Sequence, residues 1–182
     1  MRYKFLMESD KMTVKNAYLS YGSKEAPVKV EVFLNLACPY CATFYAIAEE
    51  VLTPYINDGK VEFVVKHFDK PRAMLLNGAL INTFLHYSEK NRTREIIKEL
   101  FATQKEWSHL TDHEIKKMLQ KKYDLIERSE NTSISLKILG ETIERHITMV
   151  PTIFINHKEF QYPRELDADE LRYEIEHQLS KE

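Results

Sequence analysis

The chain has 182 residues, which suits one domain or one domain with a sizeable insertion. Apolar side chains make up 43% of it, enough for a core, and the four glycines favour helices over a turn-rich β fold. A net charge of −2 gives no sign of nucleic-acid binding. No stretch approaches the ~20 apolar residues of a membrane span. Residues 1–10 lack the apolar run of a signal peptide, so we expect a cytoplasmic protein unless a leader was removed.

The first part of the chain predicts a strand–helix–strand unit. Residues 17–19 favour a short edge strand, and residues 28–36 are apolar and β-branched, as in a buried strand. Apolar residues then recur every three or four positions, which predicts a helix that ends before Pro54 because a proline disfavours helix at its predecessor. A turn at 57–59 leads into a second strand at 61–68. This order predicts two parallel strands joined by a helix.

The chain has only two cysteines, Cys38 and Cys41, and they lie two residues apart at the predicted strand-to-helix junction. Unpaired backbone N–H groups and the helix dipole favour negative charge at a helix N-terminus. We therefore expect the pKa of Cys38 to fall below that of a free cysteine. Pro39 fits the first helical turn, where its missing N–H costs nothing. Cys41 is one turn along, close enough to form a disulfide with Cys38.

Two other interpretations of the cysteines are weaker. A zinc site needs two further ligands, and His109 and His113 do not form a helical pair, because Thr111 and Glu114 make a capping box that starts a helix between them. A purely structural disulfide would close a very small loop and remove little chain entropy. Redox chemistry is the best interpretation, and we expect no metal and no cofactor.

Between residues 71 and 145 the pattern predicts helices and no strand. The apolar positions recur at helical spacing, and we expect them to pack in the core. Trp107 falls in a predicted loop after the second helix, where it would cap the helical core. The four predicted helices cover residues 72–88, 93–105, 112–122 and 129–145.

The end of the chain predicts a hairpin and a closing helix. A strand starts at Pro151 and runs to position 156, since proline is tolerated as a strand's first residue. A turn at Asn156 and His157 would bring residues 158–162 back as an antiparallel strand. Residues 166–179 have the apolar spacing of a helix.

The order of these features resembles that of the DsbA-like thiol–disulfide oxidoreductases of the thioredoxin superfamily. Three separated features agree: Cys-Pro-Tyr-Cys at 38–41, a helical insertion, and Val-Pro-Thr at 150–152 opening a strand and hairpin. The resemblance covers the chain from about residue 26 to the end. It implies an α/β thioredoxin-like fold, a central mixed sheet flanked by helices, with an inserted all-helical domain. Residues 1–70 and 146–182 would form the thioredoxin-like domain, and 71–145 the insertion, including the helix that returns to the core.

The resemblance also implies roles for individual residues. Cys38 would be the nucleophile and Cys41 the resolving cysteine, with Pro39 and Tyr40 tuning the active site.

The substrate-binding residues implied by the resemblance are Val150, Pro151 and Thr152. Pro151 would be the family's cis-proline, facing the disulfide and presenting the Val150 backbone to an extended substrate segment.

The chain departs from the family pattern at two places. Members often carry a buried acid six residues before the first cysteine, where this chain has Val32, and the adjacent Glu31 would point to the other face of the strand. Members also often have Gly-Thr before the cis-proline, where this chain has Met149 and Val150. The proton relay and the redox potential are therefore not carried over.

We expect a thiol–disulfide oxidoreductase whose partners are protein or small-molecule thiols and disulfides, with no nucleic acid and no membrane. One alternative is a glutathione-dependent oxidoreductase or transferase, since glutaredoxins also use Cys-Pro-Tyr-Cys. Another is a non-catalytic thioredoxin-like adaptor that binds a partner protein. A requirement for glutathione would identify the first, and function without either cysteine the second.

Overall fold

The computed structural model describes residues 18–162 and 165–181 of the chain. At its centre lies one mixed sheet with five strands in the described residues: β1 (Leu19–Tyr21), β2 (Val28–Leu34), β3 (Val61–His67), β4 (Thr152–Ile155) and β5 (Lys158–Phe160). Their spatial order is β1-β3-β2-β4-β5, with β2 and β3 parallel and the other neighbouring pairs antiparallel. The predicted edge strand overlaps β1, although its first residue, Ala17, lies outside the described residues.

Helices flank this sheet and fill the segment between β3 and β4. Within the described residues they are α1 (Pro39–Asn57), a short 3₁₀ helix (Ala73–Leu75), α2 (Leu76–Asn82), α3 (Lys90–Ala102), α4 (Gln104–Trp107), α5 (Asp112–Tyr123), α6 (Glu130–Glu144) and α7 (Ala168–Leu179). This arrangement confirms the predicted thioredoxin-like α/β fold class. The boundaries of a separate helical domain at 71–145 stay a prediction. None of the described helices combines the length and the apolar character needed to cross a membrane.

The prediction that α1 ends before Pro54 is wrong, because the helix continues through this proline to Asn57. The turn after the proline is closed by the Asp58 N–H, which donates to the Pro54 carbonyl at 3.0 Å. On the same turn the Tyr55 hydroxyl donates to Glu176 of α7 at 3.0 Å. Packing and these bonds offset the hydrogen bond that the proline cannot make.

The first predicted helix of the helical segment is broken. Instead of one helix over residues 72–88, the 3₁₀ helix and α2 end at Asn82. The Thr83 hydroxyl and N–H both bond to the Leu80 carbonyl, at 2.7 and 3.1 Å, which tightens the last turn. The Thr83 carbonyl then accepts the Arg128 N–H at 2.9 Å instead of continuing the helix.

Trp107 lies in α4, and the predicted loop position is therefore wrong. Its side chain is 1% exposed, and its indole N–H donates to the Leu100 carbonyl at 2.8 Å. The side chain fastens the short α4 to the end of α3, which explains why a four-residue helix forms at all. The other predicted start in this region is confirmed, because α5 begins at Asp112, after the Thr111–Glu114 capping box.

The two faces of the sheet carry different side chains. On one face, Tyr45 of α1 packs against Phe63 with ring centroids 6.1 Å apart. On the other, Lys66 of β3 contacts Glu141 of α6 at 2.5 Å. The expectation that all apolar positions of the helical segment are core is wrong for Met74 of the 3₁₀ helix, which is 65% exposed. It is also wrong for three residues of α6, because that helix is covered on one side only: Leu136, Leu139 and Ile143.

The C-terminal hairpin is confirmed. Asn156 and His157 both have positive φ, as the tight turn between β4 and β5 requires. The Asn156 side chain also accepts the Lys29 N–H at 2.8 Å, which ties the turn to β2. The closing helix is confirmed as α7, which is capped by the Asp167 side chain.

Gly78 of α2 lies against the loop that precedes the cysteines. A Cβ at this position would be 2.1 Å from the Asn35 side-chain oxygen and 2.6 Å from the Ala37 nitrogen. The helix can approach the loop this closely only because the residue has no side chain.

We therefore expect Gly78→Ala to lower the free energy of unfolding by about 2–3 kcal/mol, because buried atoms must move. The matched control is Gly140→Ala in α6, where a Cβ would meet nothing within 4 Å. This substitution should raise the free energy of unfolding by about 0.5–1 kcal/mol. Urea unfolding of both variants checks the difference, and equal effects would contradict the close approach.

Candidate active site

The two cysteines lie at the junction between β2 and α1, as predicted. Cys38 is the residue immediately before α1, and Pro39 is the first helical residue. The Cys38 N–H donates to the Asn35 carbonyl at 3.1 Å, and the Cys38 carbonyl accepts the Ala42 N–H at 3.1 Å. Backbone bonds on both sides therefore fix Cys38 at the helix N-terminus.

The sulfur atoms of the two cysteines have different surroundings. Both residues are free thiols, with Cys38 6% exposed and Cys41 fully buried. The Cys38 sulfur lies 3.5 Å from the Val150 carbonyl oxygen, which accepts its S–H when Cys38 is protonated. The Cys41 sulfur accepts the Asn35 N–H at 3.4 Å. Cys38 is therefore the sulfur nearer to solvent, and Cys41 lies behind it.

These surroundings separate the acidities of the two thiols. A hydrogen bond from the Cys41 side chain is the main cause that lowers the pKa of Cys38 to about 6, with smaller contributions from the Cys41 and Tyr40 backbones, while burial opposes the shift. Burial, followed by the interaction with Cys38, raises the pKa of Cys41 well above 9. Cys38 is thus the thiolate at neutral pH, and Cys41 keeps its proton.

The loop before β4 brings the predicted substrate-binding residues to the cysteines. The Val150–Pro151 peptide bond is cis, as predicted. The Thr152 hydroxyl donates to the Met149 carbonyl at 2.8 Å, which closes a turn around this bond. Met149 itself is 71% exposed. The structure therefore places the Val150 carbonyl of this loop against the Cys38 sulfur.

Tyr40 stands out from the motif. Its side chain is 72% exposed, whereas the cysteines on either side of it are buried. An aromatic ring in this position is available to a molecule that approaches Cys38.

Two residues that the sequence analysis did not select hold the loop before Cys38. Asn35 is buried, and its side-chain oxygen accepts the Ala37 N–H at 2.9 Å while its amide donates to the Phe68 carbonyl at 3.3 Å. Gln104 of α4 donates to the Leu36 carbonyl at 2.6 Å and to the Cys38 carbonyl at 3.0 Å. The position of Asn35, a polar residue at the end of an apolar strand, could have indicated its role from the sequence. No sequence feature indicates the role of Gln104.

The acid beside the usual relay position lies on the other face of the sheet, as predicted. Val32 is fully buried, and Glu31 contacts Lys66 and Arg145, each at 2.6 Å. Burial raises the pKa of Glu31, but the hydrogen bonds from these two cations outweigh it and hold the pKa below its usual range. Glu31 is thus a paired carboxylate and does not face Cys41.

Within residues 18–162 and 165–181, the structure contains no group of three or more His, Cys, Asp or Glu side chains that could hold a metal ion.

The geometry predicts selective alkylation of Cys38. With the reduced protein, the rate of reaction with iodoacetamide should follow a titration centred near pH 6, because its pKa is lowered to about 6, whereas the buried Cys41 should stay unmodified. Mass spectrometry of the alkylated peptides measures both sites.

Two variants of Cys41 test the cause of this low pKa. Cys41→Ala removes the hydrogen-bond donor and should raise the pKa of Cys38 by about one to two pH units. Cys41→Ser keeps a donor hydroxyl and should raise it less. A Cys41→Ala variant with the titration of the wild type would contradict the role of the Cys41 thiol.

Comparison with known proteins agrees with this geometry. Residues 15–176 match the family model described as Thioredoxin. No curated protein matches the chain. A conserved protein of unknown function from Enterococcus faecalis V583 has a similar structure with 34% sequence identity and a TM-score of 0.80, covering 87% of this chain and 89% of that one.

Two more distant structures share the fold. A periplasmic thioredoxin-like protein from Salmonella enterica serovar Typhimurium is 15% identical with a TM-score of 0.69, covering 91% of each chain. A protein-disulfide isomerase from Novosphingobium aromaticivorans is 18% identical with a TM-score of 0.67, covering 90% of this chain and 98% of that one. Because the family model matches most of the chain, and the cysteine pair lies beside a cis-proline, the chain belongs to the thioredoxin family.

Proposed function

We propose that this protein is a thiol–disulfide oxidoreductase that exchanges disulfides with protein or small-thiol substrates through Cys38 and Cys41. The observation that carries the proposal is the pairing of a low-pKa Cys38 at a helix N-terminus with a buried, protonated Cys41. A thiolate that is both stable and near solvent can attack a disulfide or leave from one. The name of a fold neighbour, a protein-disulfide isomerase, supports the same reaction class.

In the reducing direction the Cys38 thiolate attacks one sulfur of a substrate disulfide. The substrate S–S bond breaks, its second sulfur leaves as a thiolate, and a mixed disulfide with Cys38 forms. Cys41 then loses its proton, and its thiolate attacks the Cys38 sulfur and releases the first substrate sulfur as a thiolate. The two substrate thiolates take up this proton and one from solvent. The substrate gains two electrons and the Cys38–Cys41 pair loses them. Oxidation of a substrate dithiol is the same sequence in reverse.

The cis-proline loop would hold the substrate during this exchange. The Val150 carbonyl lies 3.5 Å from the Cys38 sulfur in the free protein. An extended substrate segment could pair with the Val150 backbone, with Pro151 fixing its direction and Thr152 closing the turn beneath it. Exposed Tyr40 would contact the substrate, and Pro39 keeps the first turn of α1 free of a competing N–H donor.

We place the protein outside the cytoplasm, where disulfides persist. The expected cytoplasmic location finds no support in the comparisons, and one fold neighbour is named as periplasmic. The absence of nucleic-acid partners stays a prediction.

Cysteine substitutions test the proposal. With dithiothreitol as the electron donor, the wild type should catalyse reduction of a protein disulfide without added glutathione, and Cys38→Ser should lower the rate at least ~100-fold, because the attacking sulfur is gone. Cys41→Ser should accumulate the mixed disulfide, since the resolving sulfur is missing. Non-reducing electrophoresis and mass spectrometry detect this species. Full exchange activity in Cys38→Ser would contradict the proposal.

The same assay separates the alternatives. Turnover that requires glutathione would identify a glutathione-dependent enzyme. Complementation of a deletion strain by the Cys38→Ser, Cys41→Ser double variant would identify an adaptor.

The rate of resolution should depend steeply on pH. Burial, the main cause that raises the pKa of Cys41, remains when Cys38 is glutathionylated, so the thiolate fraction of Cys41 should grow about tenfold for each pH unit below that pKa. Closure of the Cys38–Cys41 disulfide from protein glutathionylated at Cys38 should therefore accelerate about tenfold per unit between pH 6 and 9. Acid quenching and mass spectrometry follow the reaction, with Cys41→Ser as the control that cannot close. A plateau near pH 7 would mean that a proton acceptor lies beside Cys41.

A further inference from the structure

An amide from the helical segment holds the loop that carries Cys38. Gln104 is 7% exposed, and its side-chain nitrogen donates to two backbone carbonyls of this loop. The Leu36 carbonyl lies at 2.6 Å and the Cys38 carbonyl at 3.0 Å. A primary amide has two hydrogens, so this nitrogen is fully engaged with the residues around the nucleophile.

The position of Gln104 is set by residues far from the cysteines in sequence. The Gln104 carbonyl accepts the Ser108 N–H at 2.9 Å, and Trp107 anchors α4 to α3 through the Leu100 carbonyl at 2.8 Å. Trp107 is 1% exposed, so α4 has little freedom to shift. The amide is therefore presented to the loop by a fixed support.

The two carbonyls that Gln104 binds belong to the backbone that leads from the loop into α1. The Cys38 carbonyl also accepts the first helical N–H, from Ala42 at 3.1 Å. A fixed carbonyl fixes the peptide plane after Cys38, and with it the direction of the thiol toward the Val150 carbonyl, 3.5 Å away. The same start of α1 carries the Tyr40 and Cys41 backbone N–H groups, whose hydrogen bonds contribute to the lowered pKa of Cys38.

We propose that Gln104 is a positioning residue for Cys38, which orients the nucleophile and stabilises its thiolate from the helical segment. The proposal rests on the proposed function, for which it explains how the helical segment acts on the exchange chemistry. A more stable thiolate favours the dithiol over the disulfide. Gln104 therefore makes the Cys38–Cys41 pair more oxidising.

The chain offers a matched control for a test. Asn131 is 2% exposed, and its side-chain nitrogen also bridges two backbone carbonyls, those of Asn82 at 2.9 Å and Leu85 at 2.8 Å. The two carbonyls that it binds lie outside the loop that carries Cys38. Gln104→Met and Asn131→Leu remove the amide at similar side-chain volume. Gln104→Glu and Asn131→Asp replace the donor with an acceptor at the same size.

The experiment measures three quantities for the full chain: the free energy of unfolding, the pKa of Cys38 by alkylation, and the equilibrium constant with glutathione. Gln104→Met should raise the pKa of Cys38 by about one pH unit. At pH 7 that change shifts the glutathione equilibrium about fivefold toward the protein disulfide, or about 20 mV toward more negative potential. Gln104→Glu should shift both further, because a carboxylate repels the loop carbonyls and the thiolate.

Both Asn131 variants should lose stability but keep the wild-type pKa and equilibrium constant. The proposal is overturned if the Gln104 variants lose stability like the Asn131 variants while their Cys38 titration stays at the wild-type position. If Gln104→Met does not fold, Gln104→Glu carries the same comparison. Alkylation remains measurable even in a wild type that shows no exchange, so failure of this proposal and failure of the proposed function are distinguishable.

Discussion

Cys41 is fully buried behind Cys38, and the hydrogen bond from its thiol is the main cause of the low pKa of Cys38. The two sulfurs need opposite surroundings for this bond to form. One must stay protonated in the core, and the other must reach solvent at a helix end. Three elements create these surroundings where they come together: the end of β2, the first turn of α1 and the cis-proline loop before β4. Displacing any of them changes the distance or the burial on which the difference in acidity depends.

The support around this pair is made mostly of backbone carbonyls and side-chain amides. Asn35 links the Ala37 N–H to the Phe68 carbonyl, and Gln104 links the loop to the helical segment. The ion pairs of Glu31 with Lys66 and Arg145 lie on the opposite face of the sheet. Neutral donors orient the loop without adding a competing ion pair next to the thiolate. A buried charge there would also carry a desolvation cost that an amide avoids.

Much of this arrangement could be predicted from the sequence. The apolar, β-branched run at residues 28–36, the spacing after position 42 and the Cys-Pro-Tyr-Cys motif placed the cysteines at a strand–helix junction, and Val-Pro-Thr indicated the cis bond at Pro151. Local sequence patterns gave wrong predictions where contacts between distant elements determine the backbone conformation. The helix continues through Pro54 because its last turn packs against α7, and Trp107 is helical because α3 offers its indole an acceptor. The role of Gln104 depends on a contact across 66 positions of the chain, which no local pattern can show.

The most direct test of the account is the redox equilibrium of the Cys38–Cys41 pair in glutathione buffers, followed by trapping of the free thiols and mass spectrometry. We expect one two-electron transition, in which both thiols disappear together, at a potential between about −120 and −270 mV, the range between DsbA and thioredoxin. A Cys38→Ser or Cys41→Ser variant should show no intramolecular transition. If no disulfide joined Cys38 to Cys41 in the wild type at any buffer composition, the central claim would be contradicted.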